Sequence, residues 1–155
     1  NNSKKVLVQG SCVGIDLGTH SSSVAIFRND NTEVIANDMG THFTPSVVGF
    51  SDTELLVGDV AVPGKLKDPA NTVIECKRLL GKKLGDEDLQ EDAKRWSYPV
   101  VHDQNKTCVQ VQYKQQKTAF SGEQLCGFVL KDLKGTAEAL VHEKVKFCVL
   151  AAPSY

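Results

Sequence analysis

The sequence predicts an α/β fold, and three observations carry that prediction. Residues 13–27 read as a β-hairpin, with Ile15 and Leu17 on one side of a polar turn and Val24, Ile26 and Phe27 on the other. Ser121-Gly122-Glu123-Gln124 is a capping box. It opens an apolar stripe at helical spacing (Leu125, Phe128, Val129, Leu133, Ala137, Leu140), and the continuously apolar residues 145–151 follow it. Such a run suits a parallel strand covered on both faces. Helix, buried strand and opening hairpin together make an α/β lobe, whereas residues 46–120 between them read as short antiparallel strands.

Composition fits this frame. The chain has 155 residues, 41% hydrophobic and 24% charged, enough for one compact domain or two small ones. A net charge of −1 gives no reason to expect nucleic acid or an anionic membrane surface as a partner. No apolar run approaches the ~20 residues of a membrane helix. Lys4-Lys5-Val6-Leu7-Val8 is too short for a signal peptide, and residues 1–10 read as loose. Cys12, Cys76, Cys108, Cys126 and Cys148 are odd in number and widely spaced, without a C-x-x-C pair. They read as reduced, mostly buried thiols of a cytosolic-type compartment rather than a disulfide framework or zinc site. His20, His42, His102 and His142 are equally scattered, and no metal is assigned to them.

Taken in order, Asn29-Asp30-Asn31 turns the hairpin into a third strand at Glu33-Val34-Ile35. Val47-Val48-Gly49-Phe50 and Leu55-Leu56-Val57 form an antiparallel pair around Ser51-Asp52-Thr53-Glu54. Residues 59–66 hold one helical turn or two, weakened by Pro63 and Gly64. Gly64-Lys65 is not a Walker A loop, lacking the upstream glycine and the following hydroxyl. Asp68 then reads as an N-cap with Pro69 at the first helical position. The predicted helix turns Val73, Cys76, Leu79 and Leu80 inward and closes at Gly81. Residues 85–95 are a charged helix or loop anchored by Trp96, Tyr98 and Pro99. Val109, Val111 and Tyr113 alternate with Cys108, Gln110 and Gln112 as a strand, and 114–117 turn it into Thr118-Ala119-Phe120.

The anomaly is Asp16, a carboxylate in an apolar strand. A buried charge needs a partner, or a cation with its hydration shell. Gly18 lets the backbone approach a ligand, and residues 19–23 supply successive amides and small hydroxyls, which can make a concave anion site. The same residues also fit a turn capped by an Asx-type bond.

Gly14-Ile15-Asp16-Leu17-Gly18-Thr19 resembles the first phosphate loop of the actin-like ATPase superfamily of sugar kinases, actins and heat-shock chaperones. Ala36-Asn37-Asp38-Met39-Gly40, Thr44-Pro45-Ser46, Asn71-Thr72-Val73 and Cys76-Lys77-Arg78-Leu79-Leu80-Gly81 are similar to the seventy-kilodalton heat-shock chaperone family. So are Val109-Gln110-Val111-Gln112-Tyr113 and Val149-Leu150-Ala151-Ala152-Pro153-Ser154-Tyr155. The motifs follow the family's order across residues 13–155.

This resemblance implies an actin-like (ribonuclease H-like) fold, first lobe only, with an inserted antiparallel α+β subdomain. Residues 11–45 and 121–155 would form the lobe and residues 46–120 the insertion. It further implies ATP or ADP, Mg²⁺ and K⁺ as ligands. Asp16 would contact the hydration shell of Mg²⁺, and Gly18, Thr19 and His20 would cradle the β- and γ-phosphates. Lys77 would be the catalytic lysine and Pro153 the relay toward a substrate-binding half. Unfolded polypeptides, a J-domain co-chaperone and a nucleotide-exchange factor are the implied partners, in the cytoplasm or in the nucleus or an organelle.

His20 and Ser21 stand where the family has a second threonine and a bulkier residue, and His42 and Phe43 also depart from its pattern. The member is divergent. The second phosphate loop, adenosine pocket and second lobe are expected beyond Tyr155, so these residues alone are expected to be inactive and to self-associate. Two other readings are a non-hydrolysing relative acting as a co-chaperone or interaction module, and a sugar kinase sharing only the first loop.

Overall fold

The structure, a computed structural model, describes residues 11–28, 30–103 and 105–151. The expected hairpin is formed by β1 (Ser11–Asp16) and β2 (Ser21–Arg28), with Val13 opposite Ile26 and Ile15 opposite Val24. Its third strand, β3 (Asn31–Val34), begins two residues before the predicted one, and the Ile35 amide still donates to the Val24 carbonyl at 2.8 Å. β4 (Thr44–Pro45) pairs with the turn end of β2. β5 (Val48–Phe50) and β6 (Leu55–Val57) pair as predicted. A 3₁₀ turn over Gly58–Ala61 and the single-turn α1 (Gly64–Lys67) supply the two weak helical turns.

The helix predicted over 68–81 does not form. A 3₁₀ turn at Pro69–Asn71 gives way to β7 (Thr72–Val73), then to a second 3₁₀ turn at Cys76–Leu79. Asp68 makes no side-chain cap; its carboxylate instead accepts from the Asn71 side chain at 2.8 Å. Thr72 and Val73 are β-branched and pair with Gly49 and Val48 of β5, so sheet pairing overrides the local helical pattern. Glu75, in the left-handed region at φ 54°, breaks the remainder. The inward positions nevertheless hold for Val73, Cys76 and Leu79, all buried; Leu80 is half-buried.

α2 (Glu87–Ala93) lies in the charged stretch, with Trp96 and Tyr98 buried behind it. β8 (Val100–Asp103) has no counterpart in the sequence reading. It is the outer strand beside β9 (Lys106–Tyr113), and its short Val-Val-His-Asp sequence carries no alternation of its own. β9 returns through Lys114 and Gln115, both at positive φ, into β10 (Gln116–Ser121). α3 (Gly122–Val141) starts at the predicted capping box: the Ser121 hydroxyl accepts from the Gln124 amide at 3.4 Å, and the Gln124 side chain accepts from the Ser121 amide at 2.9 Å. Leu125, Val129, Leu133 and Ala137 are buried, Phe128 is half-buried, and Leu140 near the helix end is exposed. β11 (Val145–Ala151) then runs parallel to β1.

Three sheets result, ordered β11-β1-β2-β3, β6-β5-β7 and β10-β9-β8. One core joins them. Ile15 and Val24 from the first sheet, Val48 and Val73 from the second and Val109 from the third meet Leu125 and Val129 of α3. The expected cover over both faces of β11 is absent among the described residues. Val145 is buried, but Phe147, Val149 and Leu150 are 43%, 68% and 45% exposed on an edge strand.

Ser121 joins β10 to α3, and its hydroxyl also holds the Glu123 carboxyl below the usual carboxylate range. Ser121→Ala should therefore destabilise the fold by about 0.5–2 kcal/mol. A lower urea midpoint at unchanged slope is the expected result.

Candidate functional site

β1 ends at Asp16, whose Cα is registered with Ser23 on β2 and Ala151 on β11. The side chain is exposed, not buried as its apolar strand suggested, because it stands at the strand end where the chain enters the turn, and among the described residues no ion pair involves it. A carboxylate at a strand end that is not tied up in an ion pair can hold the water shell of a cation. The chain then turns through Leu17, Gly18, Thr19 and His20. The turn is tight enough that a Cβ on Gly18 would lie 2.0 Å from the Ser21 carbonyl oxygen. Only glycine fits there.

Three hydroxyl contacts fix the turn. The Gly18 amide donates to Ser22 Oγ at 3.1 Å, Ser22 Oγ and Ser46 Oγ lie 2.8 Å apart, and Ser46 Oγ donates to the Gly18 carbonyl at 2.8 Å. Both serines are 1% exposed. Buried hydroxyls joined in a closed set rigidify the backbone that they hold. The Gly18 amide is thus engaged inside the turn, leaving Thr19, half-buried, and His20, exposed, at its outer surface.

Lys77 enters from the 3₁₀ turn at Cys76–Leu79, sixty residues away in sequence. Its Nζ donates to the Leu17 carbonyl at 2.5 Å, placing an ammonium group between Asp16 and Gly18 along the backbone. The same turn is tied to His20, since Glu75 Oε1 lies 3.2 Å from His20 Nε2 and Glu75 Oε2 lies 3.0 Å from Arg78 Nε. Arg78 continues to Asp92 at 3.3 Å, and Asp92 also pairs with Arg95. Beside this chain of charges, Thr19, Arg78, Lys82, Asp88 and Asp92 line an open cavity of about 490 Å³.

Asp16, Gly18, Thr19, His20 and Lys77 are therefore brought to one place. Pro153 lies outside the described residues. Sequence reasoning missed Ser46 and Glu75, and it read Ser22 as one of the hydroxyls offered to a ligand whereas its hydroxyl is turned inward onto the Gly18 amide. Ser46 was visible only as part of Thr44-Pro45-Ser46, and nothing in its spacing pointed to Gly18. Glu75 carried no signal, because its reach to His20 depends on a left-handed backbone inside a stretch that reads as helix.

A family model described as Hsp70 protein matches residues 12–155. The chain is 42% identical over 143 residues to "Heat shock 70 kDa protein" of Emericella nidulans, covering 92% of this chain and 22% of that protein. It is 43% identical to "Putative heat shock 70 kDa protein 7" of Homo sapiens, covering 92% and 39%. It is 38% identical to a ribosome-associated molecular chaperone of Saccharomyces cerevisiae, covering 92% and 23%. The chain thus spans well under half the length of each of these relatives.

Proposed function

Because the chain belongs to the Hsp70 family, we propose that it supplies the first phosphate-holding wall of a chaperone domain that binds and hydrolyses ATP. The observation that carries the reading is the Lys77 ammonium, held on the Leu17 carbonyl at the edge of the Gly18 turn. Phosphoryl transfer to water depends on positioning and on charge neutralisation more than on covalent chemistry from the protein. In this reading the backbone amides of Thr19 and His20 receive the β- and γ-phosphates. The Ser22–Ser46 pair keeps the turn shaped before ligand arrives, so little reorganisation is needed on binding.

Lys77 exchanges the Leu17 carbonyl for the γ-phosphate and orients the attacking water. His20 is directed toward Glu75, so it contributes to the cradle through its backbone and braces the turn through its side chain. Asp16, exposed and without a cationic partner among the described residues, fits the water shell of Mg²⁺. Mg²⁺ supplies neutralisation of charge on the phosphate oxygens when bound.

The fold assignment that goes with this reading is actin-like: residues 11–45 and 121–155 form one lobe, and residues 46–120 are an inserted subdomain. In the whole protein, ATP turnover would regulate the holding of unfolded polypeptides, with a J-domain co-chaperone, an exchange factor and K⁺ assisting in a cytoplasmic setting. A sugar kinase sharing only the first loop is disfavoured, since the family match extends over residues 12–155. Among the described residues no helix is long and apolar enough to cross a membrane.

The test is phosphate release from Mg·ATP by the whole protein with and without an unfolded polypeptide. Turnover that rises with the polypeptide is expected. ATP bound but never hydrolysed would favour the non-hydrolysing interaction module. The 155-residue chain spans 22% and 39% of two of its relatives, and by itself it should bind Mg·ATP more weakly than about 1 μM. Calorimetric titration checks this, and sedimentation checks the self-association expected through the open apolar edge of β11.

A further inference from the structure

We propose that Cys76 and Cys126 are a redox-modification site, closing to a reversible intramolecular disulfide when the protein meets a peroxide. Their sulfurs lie 3.7 Å apart although the residues are fifty positions apart in sequence. Both are buried, at 1% and 4% exposure, and both are free thiols.

The contact belongs to an interface with little room to spread. A Cβ on Gly122 would lie 2.8 Å from Leu79 Cβ and 3.1 Å from the Leu79 carbonyl carbon, so the start of α3 and the 3₁₀ turn touch almost backbone to backbone. Cys126 sits one α-helical turn beyond Gly122, and Cys76 one 3₁₀ turn before Leu79. The two pairs are successive rungs of one close contact. Disulfide sulfurs are about 2.05 Å apart, so closure requires the sulfurs to approach by roughly 1.7 Å.

Protonation favours reaction between the two. The hydrogen bond to Cys126 and burial push the Cys76 thiol well up. The hydrogen bond from Cys76, aided by the nearby Lys77 charge, holds the Cys126 thiol down against its burial. With Cys76 as the donor in the Sγ–Sγ contact and Lys77 nearby, Cys126 is the sulfur proposed to react first.

Hydrogen peroxide balances the chemistry. The Cys126 thiolate attacks one peroxide oxygen and the O–O bond breaks. This leaves a sulfenic acid on Cys126 and a hydroxide that takes a solvent proton to become water. The Cys76 sulfur then attacks the Cys126 sulfur, the S–O bond breaks, and the departing hydroxide leaves with the Cys76 proton as a second water. The sulfurs together lose two electrons, and the peroxide gains them. Cys76 immediately precedes Lys77, so closure draws the lysine toward α3 and away from the phosphate turn. That effect on turnover rests on the role proposed for Lys77; the bond itself does not.

The experiment uses the whole protein with its other cysteines, including Cys12, Cys108 and Cys148, changed to serine. It is treated with hydrogen peroxide, alkylated with iodoacetamide after unfolding, and digested with trypsin. The expected product joins peptides 68–77 and 118–131, is lighter than their sum by the two hydrogens lost, and separates on reduction. Phosphate release should fall by about 10- to 10²-fold while the bond is present and recover with reductant. Cys126→Ser should abolish both the linkage and the peroxide sensitivity while retaining untreated turnover, and Cys76→Ser should equally abolish the linkage if the first variant fails to fold. Both cysteines recovered fully alkylated, or Cys126 as sulfinic acid without linkage, would overturn the proposal. Linkage with unchanged turnover would uphold the disulfide and count against the role of Lys77.

Discussion

Lys77→Ala in the whole protein is expected to slow single-turnover ATP hydrolysis by about 10²–10³-fold, the loss typical of removing one preorganised charge from a transition state. ATP affinity should stay close to wild type, because in the proposed reading the lysine acts at the γ-phosphate and binding energy comes largely from the adenosine side. The structure gives the lysine its position without committing it to an ion pair: Nζ rests on a neutral carbonyl, that of Leu17. A cation held by a carbonyl can be drawn away by a phosphate more readily than one held by a carboxylate. Lys77→Arg should not restore the rate, because a planar guanidinium does not reproduce a compact ammonium group. Hydrolysis within about threefold of wild type would mean that Lys77 merely pins the Leu17 carbonyl.

Gly18→Ala is expected to have the second large effect, through the backbone. The new methyl would meet the Ser21 carbonyl oxygen at 2.0 Å and its carbon at 3.2 Å, so the turn itself must open. Overpacking of this kind typically costs about 1–3 kcal/mol, equivalent to roughly 5- to 150-fold if expressed wholly in binding. The hydroxyl set through Ser22 and Ser46 would part at the same time, since both serines hold Gly18. ATP and ADP should bind more weakly while adenosine is unaffected. Parallel titration of the three ligands separates a damaged phosphate turn from general unfolding, which would weaken all of them.

Much of this molecule was legible where local and global preferences agree. The opening hairpin carries its own alternation, and the capping box and stripe of α3 point to the same helix that the core selects. The turn at Lys114 and Gln115 lies between two runs that pair in register. Legibility ended where tertiary contacts overrule local pattern. Residues 68–81 place apolar side chains at helical spacing, yet Thr72 and Val73 are captured by β5 and Glu75 adopts a left-handed backbone. Three of the four inward positions were therefore right, Leu80 being half-buried, and the element wrong. β8 is an edge strand whose pairing with β9 makes it a strand, and a sequence of four residues does not advertise its partner.

The candidate site divides in the same way. Asp16 and Gly18 stood out because a carboxylate and a glycine in an apolar hairpin need a reason. Lys77 has no such local mark, and only the family resemblance raised it above an ordinary lysine. Its approach to Leu17 is a consequence of how the 3₁₀ turn at Cys76–Leu79, which follows the pairing of β7 with β5, packs against the start of α3. Ser46 and Glu75 are further cases of position set by the fold: each is a common residue that the fold brings to Gly18 or to His20.

The most direct test of the central claim is a crystal structure of the whole protein with Mg²⁺ and a non-hydrolysable ATP analogue. The β- and γ-phosphates are expected to lie against the amides of Thr19 and His20, with Lys77 Nζ moved from the Leu17 carbonyl to the γ-phosphate and Asp16 facing the metal's water shell. Phosphates bound elsewhere, with Lys77 still on the Leu17 carbonyl, would contradict the claim.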